Sequence, residues 1–123
     1  MAATHIALRR PTAQGKKHKM VFYRKDASGL TRVKATHFGQ KGASDFTRHN
    51  DEGRKRLYLA RHRPRENWND PHSAGSLSRY VLWNKPTIKA GVNDYARRFG
   101  FKVRSSSELR VRLRRKCSVL DAL

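Results

Sequence analysis

The chain has 123 residues, of which 29 are Lys or Arg and 9 are Asp or Glu, so its formal net charge at pH 7 is +20. Such a charge destabilises a compact monomer unless a polyanion or an acidic partner screens it, which favours nucleic acid as the partner. The single cysteine, Cys117, excludes an internal disulfide and a Cys-based zinc site, and no apolar run approaches the roughly 18 residues of a membrane span.

The first 19 residues show no clear periodicity and carry a basic run at Lys16, Lys17 and Lys19. We therefore predict a flexible basic arm over residues 1–19. Because no apolar stretch follows the early arginines, we expect no secretory signal.

The next segment predicts a β-hairpin. Residues 20–25 are rich in β-branched and aromatic side chains, residues 26–29 have the composition of a turn, and residues 30–38 alternate in part with a period of two. An isolated hairpin is marginally stable in water, so this one must pack on helices.

Two closely spaced glycines, Gly39 and Gly42, follow the hairpin and bracket Lys41. One interpretation is a concavity of backbone N–H groups that holds a phosphate. The other is a tight turn that leads the chain out of a strand, and this second interpretation is favoured because the P-loop and dinucleotide patterns are both missing.

A basic helix is expected over residues 52–62. Asn50 or Asp51 is placed to cap its start, its last turn is basic, and Pro64 ends it. Trp68 follows in a loop, where it either plugs the core or offers a platform for base stacking, and the core position is favoured.

A short apolar helix is expected next, with Leu77, Tyr80 and Val81 facing inward. Ser73 or Ser76 would cap its start, and it must end before Pro86 because the residue before a proline avoids the helical region.

The third predicted helix has the clearest pattern. Thr87 is a good N-cap, apolar residues then recur on one helical face, and Gly100 is placed to end the helix. We therefore predict one α+β domain over residues 20–104, in which the N-terminal hairpin packs on two to three helices. Its expected core residues are Phe22, Phe38, Phe46, Leu57, Leu82, Trp83, Val92, Tyr95 and Phe99.

The arginine-rich C-terminal segment, residues 105–123, admits two interpretations. Ser105 and Glu108 form a capping box, and an apolar face follows at helical spacing. Residues 109–114, however, alternate strictly as a strand would. Helix is favoured, and in both cases one face is apolar while the other presents arginines.

The central part of the chain resembles a family of small basic proteins of unassigned function that occur mainly in large nucleocytoplasmic DNA viruses. The residues that carry the resemblance are HFGQKGASDFT at 37–47, with RKRLYLARH at 54–62, ENW at 66–68, AGSLSRYVLWNKP at 74–86 and RFG at 98–100. The resemblance implies a virion or a site of viral assembly as the setting. It implies no catalytic residue.

Enzymatic activity is not expected. Ser44 and Asp45 with His37 or His49 supply the residue types of a hydrolase, but no nucleophile-elbow motif accompanies them. A nuclease needs clustered carboxylates for its metal ions, and the nine carboxylates here are scattered. We therefore expect no metal site and no cofactor.

The leading functional hypothesis is a non-enzymatic protein that binds the phosphate backbone of nucleic acid without sequence specificity; DNA is favoured over RNA, and the choice between them stays open. The alternative is a structural particle protein, such as a minor capsid protein, an internal cement protein or a subunit of a ribosome-like particle, whose basic tails contact acidic surfaces during assembly. The oligomeric state stays open. The predicted binding residues are Lys41, Arg54, Lys55, Arg61, Arg63 and Arg65, joined by Lys16, Lys17, Lys19, Arg110, Arg112, Arg114 and Arg115.

Overall fold

The computed structural model of the protein describes residues 3–104. Within this range the strands are β1 (His5–Arg9), β2 (Lys16–Asp26), β3 (Gly29–Gln40) and β4 (Lys102–Val103), and the helices are α1 (Phe46–His49), α2 (Glu52–His62), α3 (Ala74–Leu77) and α4 (Ile88–Phe99). A 3-10 turn at Arg63–Arg65 follows α2, and a π-helical turn at Ser78–Leu82 continues α3. The predicted α+β class is confirmed.

The sheet has the strand order β3-β2-β1-β4, with β1 antiparallel to β2 and parallel to β4. The predicted hairpin is confirmed as β2 and β3, which pair from Lys16 opposite Gln40 to Asp26 opposite Gly29. The Asp26 carboxylate accepts hydrogen bonds from the Ser28 backbone N–H and hydroxyl, which fixes the turn. These hydrogen bonds lower the pKa of Asp26.

The prediction of a flexible arm over residues 1–19 is wrong for residues 5–9 and 16–19, which lie in strands. Residues 5–9 form β1, which lies between β2 and β4, and its Ile6 side chain is completely buried in the core. Lys16, Lys17 and Lys19 belong to β2. The backbone of β1 pairs on both sides, so burying Ile6 and completing the sheet outweigh the cost of ordering this basic segment.

The core lies where one face of the sheet meets the helices. Ile6, Met20, Phe22 and Phe38 from the strands pack against the π-helical turn and α4. Gly91 of α4 allows the closest approach, because a Cβ atom there would lie 2.6 Å from the carbonyl oxygen of Val81. The helix therefore needs glycine at this position.

The predicted ends of the helices are largely confirmed. Asp51 caps α2, Ser73 caps α3, and the Thr87 hydroxyl accepts a hydrogen bond from the Ala90 N–H at 3.1 Å. Gly100 ends α4 with a φ of 77°.

Three of the predicted core residues differ from expectation. Leu57 is 66% exposed, so placing it in the core was wrong. Trp83 and Phe99 are only partly buried, although both pack against the core. Leu57 points outward because α2 instead turns Tyr58 and the stem of Lys55 toward the domain.

The two interpretations of the C-terminal segment, helix or strand, concern residues 105–123, which lie outside the described part of the chain.

Candidate functional site

A groove runs beneath α2 and has a volume of about 850 Å³. We call it the α2 groove. Arg54, Tyr58, Arg61 and Arg65 line one wall, at spacings of four, three and four residues. Because residues three and four apart lie on the same face of a helix, these side chains form one stripe. The opposite wall and the floor come from the start of β2, the end of β3, the turn after β3 and the π-helical turn. The lining residues there are Lys16, Lys17, Phe38, Gly39, Gln40, Ala43, Ser44, Asp45, Ser78, Leu82 and Trp83.

Local sequence fixes α2 over this groove. The Asp51 side chain accepts a hydrogen bond from the Arg54 N–H at 3.1 Å, which satisfies one of the free donors at the start of the helix. Glu52 lies in the first turn, where a negative charge favours the helix dipole, and Arg61 and His62 lie in the last. None of the residues of α2 is fully buried.

An aromatic stack therefore carries much of the attachment of α2. The Tyr58 ring lies 4.2 Å from the Trp83 ring, with 6° between their planes, and 4.1 Å from the His62 ring. Burial, aided by the negative charge of Glu66, raises the pKa of Tyr58 to about 12. Tyr58 thus keeps its proton at neutral pH and stays an uncharged member of the stack.

The carboxylate of Glu66 is held at one end of this stack. One of its oxygens lies 2.9 Å from His62 Nδ1, and the other accepts a hydrogen bond from Trp68 Nε1 at 2.8 Å. A Cβ atom on Gly75 would come within 2.9 Å of this carboxyl group, so glycine makes room for it. Glu66 is consequently fixed by partners of its own and does not pair with the arginines of the groove wall.

A second basic depression, of about 740 Å³, lies on the other side of Lys17. The turn after β3 and the loop between β1 and β2 meet there, where the Lys41 N–H donates to the carbonyl oxygen of Gly15 at 2.9 Å. Gly39 and Gly42 both adopt positive φ, at 78° and 88°, and a Cβ atom on Gly39 would touch Leu82 at 3.0 Å. The tight-turn interpretation accounts for both glycines.

The predicted binding residues fall into two groups. Arg54, Arg61 and Arg65 share the α2 groove, and Lys16 faces them from β2. The side chains of these four residues make no hydrogen bond or ion pair with any residue between 3 and 104. Their charge is therefore available to a ligand.

The second group is engaged in the fold or lies elsewhere. Lys17 forms an ion pair with Asp45 at 2.7 Å, and Lys19 is 8% exposed. The Lys55 ammonium donates to the Asn84 carbonyl oxygen at 2.8 Å. Lys41 and Arg63 are exposed but do not line the α2 groove. Outside the described residues lie Arg110, Arg112, Arg114 and Arg115.

Three of the four residues considered for a hydrolase, His37, Asp45 and His49, bond to separate parts of the chain. His37 Nε2 accepts hydrogen bonds from the N–H groups of Thr12 and Ala13, both at 3.1 Å. His49 Nδ1 accepts from the Asp51 N–H at 2.9 Å. The Asp45 side chain caps α1, where it accepts from the Thr47 N–H at 3.0 Å.

Sequence reasoning missed Arg79. Its guanidinium lies 5.3 Å from the Trp68 ring and 5.0 Å from the Tyr80 ring, and its Nη1 donates to the Trp83 carbonyl oxygen at 3.2 Å. Burial lowers the pKa of Arg79. Trp68 is half-buried and packs against the core, as the favoured interpretation has it. The sequence places Arg79 next to Tyr80, but it does not reveal that the guanidinium also contacts Trp68.

Within residues 3–104, no three His, Cys, Asp or Glu side chains are grouped so that they could hold a metal ion. In the same part of the chain, no helix has the length and apolar character needed to cross a membrane.

Comparison with known proteins gives one family match. A model described as a family of unknown function (DUF5754) matches residues 6–62, which run from β1 to the end of α2. No curated protein and no solved structure matches the chain. The chain is thus similar to this family over the sheet hairpin and the arginine-bearing wall of the groove.

Proposed function

We propose that the protein binds the phosphate backbone of nucleic acid, with DNA as the expected partner, without sequence specificity and without catalysing a reaction. The observation that carries this proposal is the stripe of Arg54, Arg61 and Arg65 along the α2 groove, where no carboxylate of residues 3–104 pairs with them. An unpaired guanidinium offers five N–H donors, which suit a phosphate group.

The charge of the whole chain supports the same proposal. A net charge of +20 creates a positive potential that attracts a polyanion and accelerates its association. Contacts to phosphates fix the position of a protein on nucleic acid but carry no sequence information, so sequence preference should be slight.

The setting that we propose is a virion or a site of viral assembly, and it rests on the resemblance carried by residues 37–47 and 74–86. In that setting the same charge would also serve a structural particle protein that docks on acidic neighbours. The two functions differ in how affinity for free nucleic acid responds to salt.

A titration at several salt concentrations tests the proposal. Each neutralised phosphate of duplex DNA releases counterions and contributes about −0.9 to the slope of log affinity against log salt. We expect the full-length protein to bind unrelated duplexes equally well, and six to ten contacts would lose about 10³–10⁵ in affinity between 50 and 200 mM salt. A flat response would overturn the proposal in favour of the particle protein.

A further inference from the structure

The shape of the α2 groove sets a limit on what can enter it. Its volume of about 850 Å³ lies in the range of about 300–1,000 Å³ found for sites that hold small molecules. A duplex keeps its bases paired inside a rod and presents its phosphates on the outside, so it would meet the α2 groove at the rim, whereas one strand can place bases as well as phosphates in it.

The cations of the groove are arranged along a line. Arg54, Arg61 and Arg65 follow the axis of α2 and the turn after it, and 11 residues of helix extend over about 16 Å. Lys16 lies on the wall that faces them. This arrangement suits successive phosphates of one extended strand.

The groove also offers groups that suit unpaired bases. Gln40, Ser44 and Ser78 are polar and line the groove with the aromatic stack. Trp83 and His62 lie on the two faces of Tyr58, and the His62 side chain is 39% exposed. In single strands the bases expose both their faces and their pairing edges, which stack on rings and bond to polar groups.

We infer that the α2 groove binds a single strand of nucleic acid, with its phosphates along the arginines of α2 and its bases against Gln40, Ser44, Ser78 and the partly exposed His62. This inference rests on the proposed function and adds the class of partner to it. Duplex DNA would then meet the groove arginines only at the rim and depend more on the outer basic surface.

Two variants of the full-length protein with equal charge separate the groove from the rest of the surface. The groove variant carries R54Q, R61Q and R65Q. The control variant carries R32Q, R56Q and R97Q, which replace three exposed arginines that do not line the groove. Affinities are measured by fluorescence anisotropy for an oligothymidine strand and for a duplex of the same length, and circular dichroism checks that both variants fold. If the triple variant does not fold, the single variants R54Q and R61Q are measured in its place.

We expect the groove variant to lose three contacts to the single strand. Each contact contributes about 0.7 to the slope of log affinity against log salt, so three contribute about 2. At 0.1 M salt this slope corresponds to about a 100-fold loss of affinity for the strand. The control variant should lose much less than the groove variant on the strand, and on the duplex the control variant should lose at least as much as the groove variant. Equal losses for both variants on the strand would overturn the inference and leave the proposed function standing. If the wild-type protein binds neither nucleic acid in a salt-dependent way, the proposed function fails as well.

Discussion

Arg54 and Lys55 are neighbours in the sequence, both are basic, and both were predicted to bind phosphate, yet the structure gives them different tasks. Arg54 lines the α2 groove without an ion-pair partner in residues 3–104. The Lys55 side chain is 20% exposed and lies between α2 and the rest of the domain. Replacing each residue by methionine removes one positive charge and keeps most of the apolar stem, so the two variants are matched.

The cost of Lys55→Met follows from its contacts. The ammonium donates to the Asn84 carbonyl oxygen at 2.8 Å, and a hydrogen bond to a charged group contributes about 1.5–3 kcal/mol. It also lies 4.6 Å from the centre of the Phe46 ring, which adds about 0.5–1 kcal/mol at a partly exposed site. The ion pair with Glu52, at 3.8 Å, adds little because Glu52 is exposed. We expect a loss of about 2 kcal/mol, since partial exposure places the hydrogen bond at the lower end of its range.

Arg54→Met should behave in the opposite way. A surface substitution away from such contacts changes the free energy of unfolding by about 0.5 kcal/mol or less. If Arg54 contacts a phosphate, its replacement lowers the steepness of the salt dependence by about 0.9 on duplex DNA or about 0.7 on a single strand.

Thermal unfolding and salt titrations of binding, on both variants, provide the assay. Lys55→Met should lower the unfolding midpoint by about 8–16 °C, at about 4–8 °C per kcal/mol for a domain of this size, and leave the salt slope unchanged. The reasoning is refuted if Lys55→Met retains wild-type stability while Arg54→Met unfolds more readily.

Three further predictions concern packing and pH. Gly91→Ala should destabilise the fold by about 2 kcal/mol, because a clash with the Val81 carbonyl oxygen costs about 3 kcal/mol and the better helix propensity of alanine returns about 1 kcal/mol; the control Gly53→Ala, where a Cβ atom would meet only the Asp51 carboxylate, at 3.3 Å, should change stability much less in urea unfolding. Burial lowers the pKa of His18 below 6.5, so the neutral form is favoured in the fold, and stability that is complete above pH 6.5 should fall as the pH decreases; His18→Gln should make urea midpoints less pH-dependent in this range. Trp83→Ala should cost about 3 kcal/mol, the lower end for a large aromatic residue since Trp83 is partly exposed, as measured by thermal unfolding.

Each of these predictions has an outcome that contradicts it. If Gly91→Ala is as stable as Gly53→Ala, α4 does not approach the π-helical turn as closely as described. An unchanged pH dependence in His18→Gln would mean that burial of the imidazole does not oppose its protonation. A Trp83→Ala variant as stable as the wild type would show that the ring stack does not hold α2.

The elements with strong local signals were predicted from the sequence. α4 combines an amphipathic stripe with Thr87 and Gly100 at its ends, and the β2–β3 hairpin combines alternation with a turn composition. β1 was missed because five residues give too little alternation, and because Arg9 and the basic run after it suggest solvation. Its place in the sheet depends on pairing with β2 and β4, which no local pattern reveals.

The candidate site was predicted only in part, for a similar reason. Charge alone pointed to Arg54, Arg61 and Arg65, but charge does not distinguish them from Lys55, whose partner Asn84 is remote in the sequence. The face that α2 turns inward is set by contact of Tyr58 with a distant ring. The prediction that Leu57 lies in the core therefore turned the wrong face of α2 toward the domain.

The way α2 is held bears on how the α2 groove can bind an anion. A helix with no fully buried residue gains little from the core, so its position depends on the Tyr58 stack and the Lys55 hydrogen bond. The two carboxylates that line the groove, Asp45 and Glu66, are held by Lys17 and by His62 and Trp68. Because their hydrogen-bonding capacity is directed to these partners, the arginine wall remains unpaired. The same contacts that place α2 thus leave a positive wall free for phosphate, and a variant that loosens Tyr58 should weaken binding without removing any charge.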